Sequence, residues 1–96
     1  MADRILNDYG QTLEISCPDV DFAGADSVEI CVVKPTGERR TWTPTGVDEV
    51  TRVVSYVYQS GDLDRVGFYE IHVHAIYAAA SIHTEAFSLE VAEIQC

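Results

Sequence analysis

The segment DLDRVGFYEIHV, residues 62–73, carries the strongest structural signal in this sequence. It joins an acidic turn and a glycine to a run in which apolar and polar side chains alternate as far as Ala75. Successive side chains of a β-strand point to opposite faces of the sheet, so this alternation places one face on a core and the other in water. The segment therefore predicts a half-buried strand over residues 68–77.

Other segments with the composition of strands are separated by turn residues at short intervals. They cover residues 11–16, 27–33, 38–43, 50–59 and 82–94. Proline and glycine in the KPTG sequence at 34–37 favour a tight turn, and residues 44–49 are expected to form a loop. The apolar spacing of a long helix is missing, and at most one helical turn is expected, over residues 62–66.

The predicted fold class is all-β. Six or seven strands joined by hairpin-length turns close most simply as a two-layer antiparallel sandwich. Residues 11–94 form the predicted domain, residues 1–10 are a flexible arm or an added edge strand, and residues 95–96 are a tail. A chain of 96 residues supports one modest core and leaves little room for a deep active site.

The chain is strongly acidic, with 16 acidic and 6 basic residues and a formal net charge of −10. This charge repels phosphate backbones and anionic lipids, so we expect neither nucleic acid nor membrane as a partner, whereas a basic protein surface would be attracted. The N-terminus lacks the pattern of a signal peptide, and the longest weakly polar run, residues 75–82, is too short to span a bilayer. We expect a soluble protein made in a cytoplasm.

The three cysteines predict neither a disulfide framework nor a zinc knuckle, because their number is odd and none has CxxC spacing. In antibody-type domains a cysteine stands two residues after a recurrent tyrosine near the start of the penultimate strand. Here the tyrosine is Tyr69, and the position two residues later is Ile71. Cys31 is therefore expected to be a small buried hydrophobic residue, as free cysteines commonly are. Cys96, the last residue, is a candidate for an intersubunit disulfide, and the alternative is an inert thiol.

The histidines are weak candidates for metal binding. His72 and His74 lie on the outward face of the strand over 68–77, beside Glu70, and zinc would need three converging ligands. Simple alternation along residues 82–94 places His83 on the core side, so a bulge near Thr84 would be required to bring it round. Surface histidines are the simpler interpretation, and a pH-sensitive surface is a further alternative.

The sequence gives no catalytic or cofactor motif. Asp48, Glu49, Asp62 and Asp64 suggest calcium only loosely, because the remaining ligands of a calcium loop are missing and aspartates commonly bond backbone amides in turns. The chain has no GxSxG sequence, no cysteine–histidine pair in a motif and no phosphate-binding loop. We therefore expect no cofactor, no catalytic residue and no enzymatic activity.

The large aromatic side chains are expected to fill most of the core of so small a domain. They are Trp42, Tyr56, Tyr58, Phe68 and Tyr69. Any of these rings that is left exposed would mark an interface, because exposed aromatic side chains are enriched in binding hot spots.

Several short motifs give the chain a family resemblance. The sequence VVKPTG at 32–37, Trp42, Tyr56, GDLD at 61–64 and GFY at 67–69 resemble, in this order, small immunoglobulin-like proteins of tailed-bacteriophage particles. The resemblance covers roughly residues 28–91 and implies an immunoglobulin-like sandwich of about seven strands. It implies no catalytic residues.

The same resemblance makes five residues fold-defining. They are Trp42, Tyr56, Asp64, Gly67 and Tyr69. Tyr69 looks like the corner tyrosine, whose hydroxyl bonds nearby backbone. Asp64 precedes Gly67 by three residues, where antibody-type domains have two, so the sequence leaves this hydrogen bond open.

The resemblance also implies a role. It favours a non-enzymatic structural protein located in the virion, docking in multiple symmetric copies onto other virion proteins. The head–tail neck or connector is weakly favoured over tail, baseplate or capsid decoration. Residues 1–10 and 92–96 are candidate contacts. The alternative is an immunoglobulin-like ligand-binding or adhesion module that recognises carbohydrate or protein.

Overall fold

The computed structural model describes residues 4–93, which form nine β-strands and no helix. The strands are β1 (Arg4–Ile5), β2 (Thr12–Ser16), β3 (Ser27–Val33), β4 (Arg39–Trp42), β5 (Gly46–Asp48), β6 (Val53–Val57), β7 (Gly67–Ile76), β8 (Ser81–His83) and β9 (Phe87–Ala92). The all-β prediction is confirmed, while the nine strands exceed the expected number of about seven. The helical turn expected over 62–66 is wrong, because residues 60–63 form a hydrogen-bonded turn.

The strands form two sheets. The larger has the order β1-β9-β7-β3-β4, with β8 added to β7, and the smaller has the order β2-β6-β5. All pairs are antiparallel except that of β1 with β9. The β3–β7 pair is the longest, running from Ser27 opposite Ile76 to Val33 opposite Glu70.

The inner faces of both sheets share one hydrophobic core. Along β7, Tyr69, Ile71, Val73 and Ala75 are each at most 1% exposed, so the predicted alternation is confirmed. Full burial of one such aliphatic side chain stabilises the fold by about 1.5–3 kcal/mol relative to exposure. The alternation along β7 is thus a large part of the driving force for folding.

Three aromatic rings join the two sheets. Trp42 on β4 stacks on Tyr56 of β6, with ring centroids 4.8 Å apart and planes 8° from parallel. Tyr58 meets both rings edge-on, at 5.8 Å and 6.1 Å. Stacked and edge-to-face rings at these distances are favourable beyond the area they bury. The Trp42 cluster therefore holds the outermost strand of the larger sheet against the smaller one.

Two turns that are distant in sequence meet at one end of the molecule. Lys34 is only 6% exposed, and its ammonium lies 2.8 Å from a carboxylate oxygen of Asp64. This bond to Lys34 lowers the pKa of Asp64. Gly67 has a φ of 130°, and a Cβ placed there would lie 2.9 Å from Cβ of Pro35. We call these two contacts, Lys34 with Asp64 and Pro35 with Gly67, the turn–turn contact. Pro35 packs directly on position 67, where the close approach and the positive φ favour glycine.

Tyr69 closes the same corner. Its buried hydroxyl accepts a hydrogen bond from the amide of Arg65 at 2.9 Å and donates to the carbonyl of Arg65 at 3.0 Å. The corner hydrogen bond that the sequence left open is therefore present, four residues upstream of the tyrosine. Burial raises the pKa of Tyr69, so the hydroxyl stays protonated and able to donate.

The segment predicted as one strand over 82–94 is two strands, β8 and β9. The break falls at residues 84–86, where the side-chain hydroxyl of Thr84 accepts a hydrogen bond from the amide of Val73 at 2.9 Å, and the amide of Thr84 donates to the carbonyl of Val73 at 2.9 Å. Thr84 thus bonds both the backbone amide and the backbone carbonyl of Val73. The break changes which face the residues before it present to solvent.

Two short strands complete the sheets: β5, in a segment expected as loop, and β1, in the segment expected as a flexible arm or an added edge strand. Residues 46–48, expected as loop, pair with β6 as β5. Arg4 and Ile5 form β1 along β9, and the amide of Leu6 continues that pairing by donating to the carbonyl of Ala92. The predicted tail at 95–96 lies outside the described residues.

The turn–turn contact predicts an unequal effect of alanine at two glycines with positive φ. Gly67→Ala adds a Cβ against Pro35 as well as backbone strain, so we expect it to lower the free energy of unfolding by about 2–5 kcal/mol. Gly61→Ala has a φ of 92° but nothing within 4 Å of its Cβ, so we expect only about 1–2 kcal/mol. Urea unfolding measures both values, and equal losses would contradict the packing of Pro35 on Gly67.

The Lys34–Asp64 pair predicts a second asymmetry. Asp64→Ala leaves the buried Lys34 ammonium without its nearest partner and should cost about 1–3 kcal/mol, whereas Lys34→Met removes the buried charge and should cost less than about 1 kcal/mol.

The same pair sets a pH dependence. Because the folded-state pKa of Asp64 is lowered, the stability it contributes is present above the ordinary carboxyl range and is lost as the pH falls through the folded value. Urea unfolding at several pH values should show the difference between wild type and Asp64→Ala shrinking in acid. A difference that is independent of pH would contradict the pairing.

Candidate functional site

The outer face of the larger sheet carries the densest group of chemically reactive side chains among the described residues. The β3–β7 register places Glu29 opposite His74 and Cys31 opposite His72, and β8 places His83 opposite His74. We call Glu29, Cys31, His72, His74 and His83 the outer-face cluster. All five belong to strands, so backbone pairing fixes the positions from which their side chains project.

The side chains of the outer-face cluster touch one another. His74 Nδ1 lies 2.9 Å from a carboxylate oxygen of Glu29. The rings of His74 and His83 are stacked, with centroids 3.9 Å apart and planes 7° from parallel. His72 Nε2 lies 3.1 Å from His83 Nδ1, which is hydrogen-bond distance. The three histidines therefore form one connected group that reaches across β7 to β3.

Two residues of the outer-face cluster have shifted pKa values. The pKa of His72 is lowered by burial and by the neighbouring His83 and His74. The pKa of the Cys31 thiol is raised by burial and by the charge of Glu29. At neutral pH His72 is therefore an uncharged imidazole and Cys31 a protonated thiol, so their nitrogen and sulfur atoms carry lone pairs without net charge.

The expected positions of the cluster residues were partly wrong. His83 is exposed beside His72 because the break at residues 84–86 replaces the alternation that would have turned it inward. Cys31 is half-buried on the outer face and is not a core residue. Glu29, which was not predicted as a site residue, takes the place beside His74 that was expected for Glu70. Only the register between β3 and β7 reveals it, and the sequence does not give that register.

The carboxylates of the aspartates considered as calcium ligands are engaged in other hydrogen bonds or in an ion pair. Asp48 accepts hydrogen bonds from the amides of Val50 at 2.9 Å and Thr51 at 3.1 Å, and these bonds lower its pKa. Asp62 accepts from the amide of Gln59 and from the hydroxyl of Tyr56. These carboxylates bind local donors, and Asp64 binds Lys34, so they do not converge on a shared centre.

Four of the five large aromatic side chains named from the sequence lie in the core, and Phe68 does not. Phe68 is 61% exposed, next to Tyr69, which is fully buried. The exposed large apolar side chains of the described residues are Tyr9, Val47, Val50, Val66, Phe68 and Ile82. Val47 lies on β5 and Val50 follows it, and β5 is one of the two edge strands of the smaller sheet.

A groove of about 510 Å³ runs between the end of β2 and the segment 82–87. Its lining includes Cys17, Ile82 and His83. Burial raises the pKa of the Cys17 thiol, so this sulfur is not an activated nucleophile. The groove supplies apolar surface and no assembled catalytic group. Cys96, the candidate for an intersubunit disulfide, lies outside the described residues.

Comparison with known proteins gives no relative: no family model, no curated protein and no solved structure matches this chain. Within residues 4–93 there is also no helix that is long and apolar enough to cross a membrane.

The neighbouring rings of Phe68 and Tyr69 predict opposite outcomes for the same substitution. Phe68→Ala removes a side chain that is 61% exposed, so we expect the free energy of unfolding to change by less than about 1 kcal/mol. Tyr69→Ala empties a fully buried position and loses two hydrogen bonds, so we expect a loss of more than about 3 kcal/mol. Chemical denaturation of both variants checks this, and similar losses would contradict the assigned faces of β7.

Proposed function

We propose that this chain is a non-enzymatic, immunoglobulin-like structural component of a tailed-phage particle, docking in multiple copies onto other virion proteins. The observation that carries the proposal is the turn–turn contact. The VVKPTG and GDLD…GFY motifs, which carry the family resemblance, lie 30 residues apart at the Lys34–Asp64 bond and yet are in direct contact. Motifs that recur together in a family are explained when they build one structural feature.

The strand order supports the immunoglobulin-like part of the proposal. In immunoglobulin domains strands C, F and G share one sheet, and B, E and D share the other. Both sheets of that arrangement are reproduced in chain order by one assignment of the strands. In it, B, C, D, E, F and G correspond to β2, β3, β5, β6, β7 and β9, respectively. β4 then takes the place of the strand that variable-type domains add beside C, and the Tyr69 hydroxyl bonds the backbone as a corner tyrosine does.

The surface supports docking through sheet edges. β4 and β5 lie at the ends of their sheets, and such edges present unpaired backbone groups to a neighbour. Val50 is 92% exposed beside β5, and Phe68 is exposed on the outer face of β7. A net charge of −10 favours a partner with a basic surface. A neck or connector position fits a small rigid module of this kind, and we favour it over capsid decoration.

The arm proposed for contacts is engaged within the same molecule over the part that is described. The amide of Leu6 donates to Ala92, that of Asn7 to Leu63 and that of Gly10 to Tyr58, each at 2.8 Å. Docking through residues 4–10 would therefore break existing hydrogen bonds. This favours the sheet edges as contact surfaces.

The alternative, a carbohydrate-binding or adhesion module, needs exposed rings. Trp42, Tyr56 and Tyr58 are at most 5% exposed, which leaves Phe68 and Tyr9 as large exposed aromatic side chains. A sugar platform needs several rings on one surface, and the Trp42 cluster, which groups three rings, is buried and closed to a ligand. The structural role is therefore favoured.

The proposal predicts that the chain is a stoichiometric part of purified particles of the phage that encodes it. Mass spectrometry and electron microscopy of density-purified particles should find it in a fixed number of copies, while the soluble fraction of the same lysate serves as the control.

Absence of the chain from purified particles would overturn this assignment. A glycan array with wild type and Phe68→Ala separates the alternative. Saturable sugar binding that is lost in Phe68→Ala would favour adhesion, and the absence of such binding agrees with a structural part.

A further inference from the structure

We propose that Glu29, Cys31 and His74 bind one divalent transition-metal ion, with Zn²⁺ as the best-matched ion, on the outer face of the larger sheet. The three side chains offer a carboxylate oxygen, a sulfur and an imidazole nitrogen that all lie within 4.8 Å of one another. This site is independent of the phage role and of every residue used in the turn–turn contact.

The scaffold beneath this site is rigid. β7 is the central strand of the larger sheet, β3 is paired on both sides, and seven consecutive residue pairs hold the register between them. Ile30 and Val73, which lie beneath the site on the inner face, are fully buried. Side chains opposite one another on paired strands have Cβ atoms about 4.5–5.5 Å apart. Glu29 and His74 are such a pair, and Cys31 follows Glu29 on the same face.

The dimensions fit a tetrahedral ion after a small adjustment. Zinc bonds of ~2.3 Å to sulfur and ~2.0–2.2 Å to nitrogen and oxygen place neighbouring ligand atoms roughly 3.3–3.6 Å apart. The present ligand atoms lie within 4.8 Å of one another, so the longest spacing must shorten by up to roughly 1.2–1.5 Å, which side-chain rotation supplies without moving the strands. Three protein ligands leave the fourth tetrahedral position for water or for a group from a partner.

His74 is held with its Nδ1 toward the other two ligands. This nitrogen lies 2.9 Å from a carboxylate oxygen of Glu29, so Nδ1 is the atom that can share one ion with Glu29. The stacked ring of His83 covers one face of His74 and restricts its rotation. A bound cation would replace the present hydrogen bond between Nδ1 and the Glu29 carboxylate.

Charge and ligand type select the metal. Binding converts the Cys31 thiol to a metal-bound thiolate and releases its proton to solvent, and the thiolate with the Glu29 carboxylate balances the two charges of the ion. Mg²⁺ and Ca²⁺ prefer all-oxygen sites, so they should bind poorly here. Arg39 and Arg40 line the depression beside Cys31, but the chain as a whole is strongly acidic and attracts cations.

His72 and His83 form the competing arrangement. Their nitrogens are 3.1 Å apart, close enough to chelate an ion by themselves. However, the ring of His83 stacks parallel to the ring of His74. The in-plane lone pairs of His74 and His83 therefore do not converge on one point. The His72–His83 pair also includes no thiolate. Its cobalt complex would therefore lack the thiolate-to-cobalt absorption band expected of the site that contains Cys31.

The test is titration of the full-length reduced protein with ZnCl₂ by isothermal calorimetry, and with CoCl₂ by absorption spectroscopy. We expect one ion per chain, at least about 100-fold weaker binding of MgCl₂ and CaCl₂, and a thiolate-to-cobalt charge-transfer band. Cys31→Ser should remove that band, and Cys31→Ser and His74→Ala should each weaken Zn²⁺ binding by more than about 30-fold. Cys96→Ser, the matched thiol control, should bind as wild type does.

Four results would overturn the proposal. The first is that the wild-type chain shows no saturable Zn²⁺ binding, and the second is that its cobalt complex lacks the thiolate band. The third is that binding survives Cys31→Ser but is lost in Cys96→Ser. The fourth is that binding survives Cys31→Ser but is lost in His72→Ala. Because a ligand variant could bind weakly through misfolding, circular dichroism must match wild type. If His74→Ala unfolds, the conservative Cys31→Ser variant, whose side chain is not in the core, decides between the outcomes.

Discussion

The pairing of β3 with β7 is the constraint on which the rest of the structure depends. Its register places Ile30 opposite Val73 inside the core and Glu29 opposite His74 outside it. The same register carries the end of β3 to the beginning of β7, where Lys34 meets the Asp64 carboxylate. A strand register shifted by one residue would exchange the two faces. Core, corner and outer-face cluster are therefore consequences of one alignment.

The sequence was sufficient for the features that local patterns encode. The alternation along β7, the KPTG turn and the run of β6 are visible in short windows, because burial on one face demands a period of two. β5 was missed because three exposed residues carry no such pattern. The division between β8 and β9 was missed because it depends on Thr84 bonding the backbone of Val73, a contact between segments.

The outer-face cluster shows the same limit more sharply. His72 and His74 could be paired from their spacing, because both lie on one strand. Glu29 and Cys31 could be assigned to one face of β3, but their proximity to His74 depends on how β3 and β7 align. Alignment is a long-range property, set by the fit of two core faces and two turns. Functional chemistry that spans strands is therefore the part that sequence patterns predict least.

The most direct test of this account is the cross-strand nuclear Overhauser effects between β3 and β7 in the full-length protein. The account predicts backbone contacts between Glu29 and His74 and between Cys31 and His72, on a strand pair that also joins Ile30 to Val73. Contacts displaced by a single residue, such as Ile30 with His74, would contradict it. They would turn Glu29 and Cys31 toward the core and remove the basis for the corner and the metal site together.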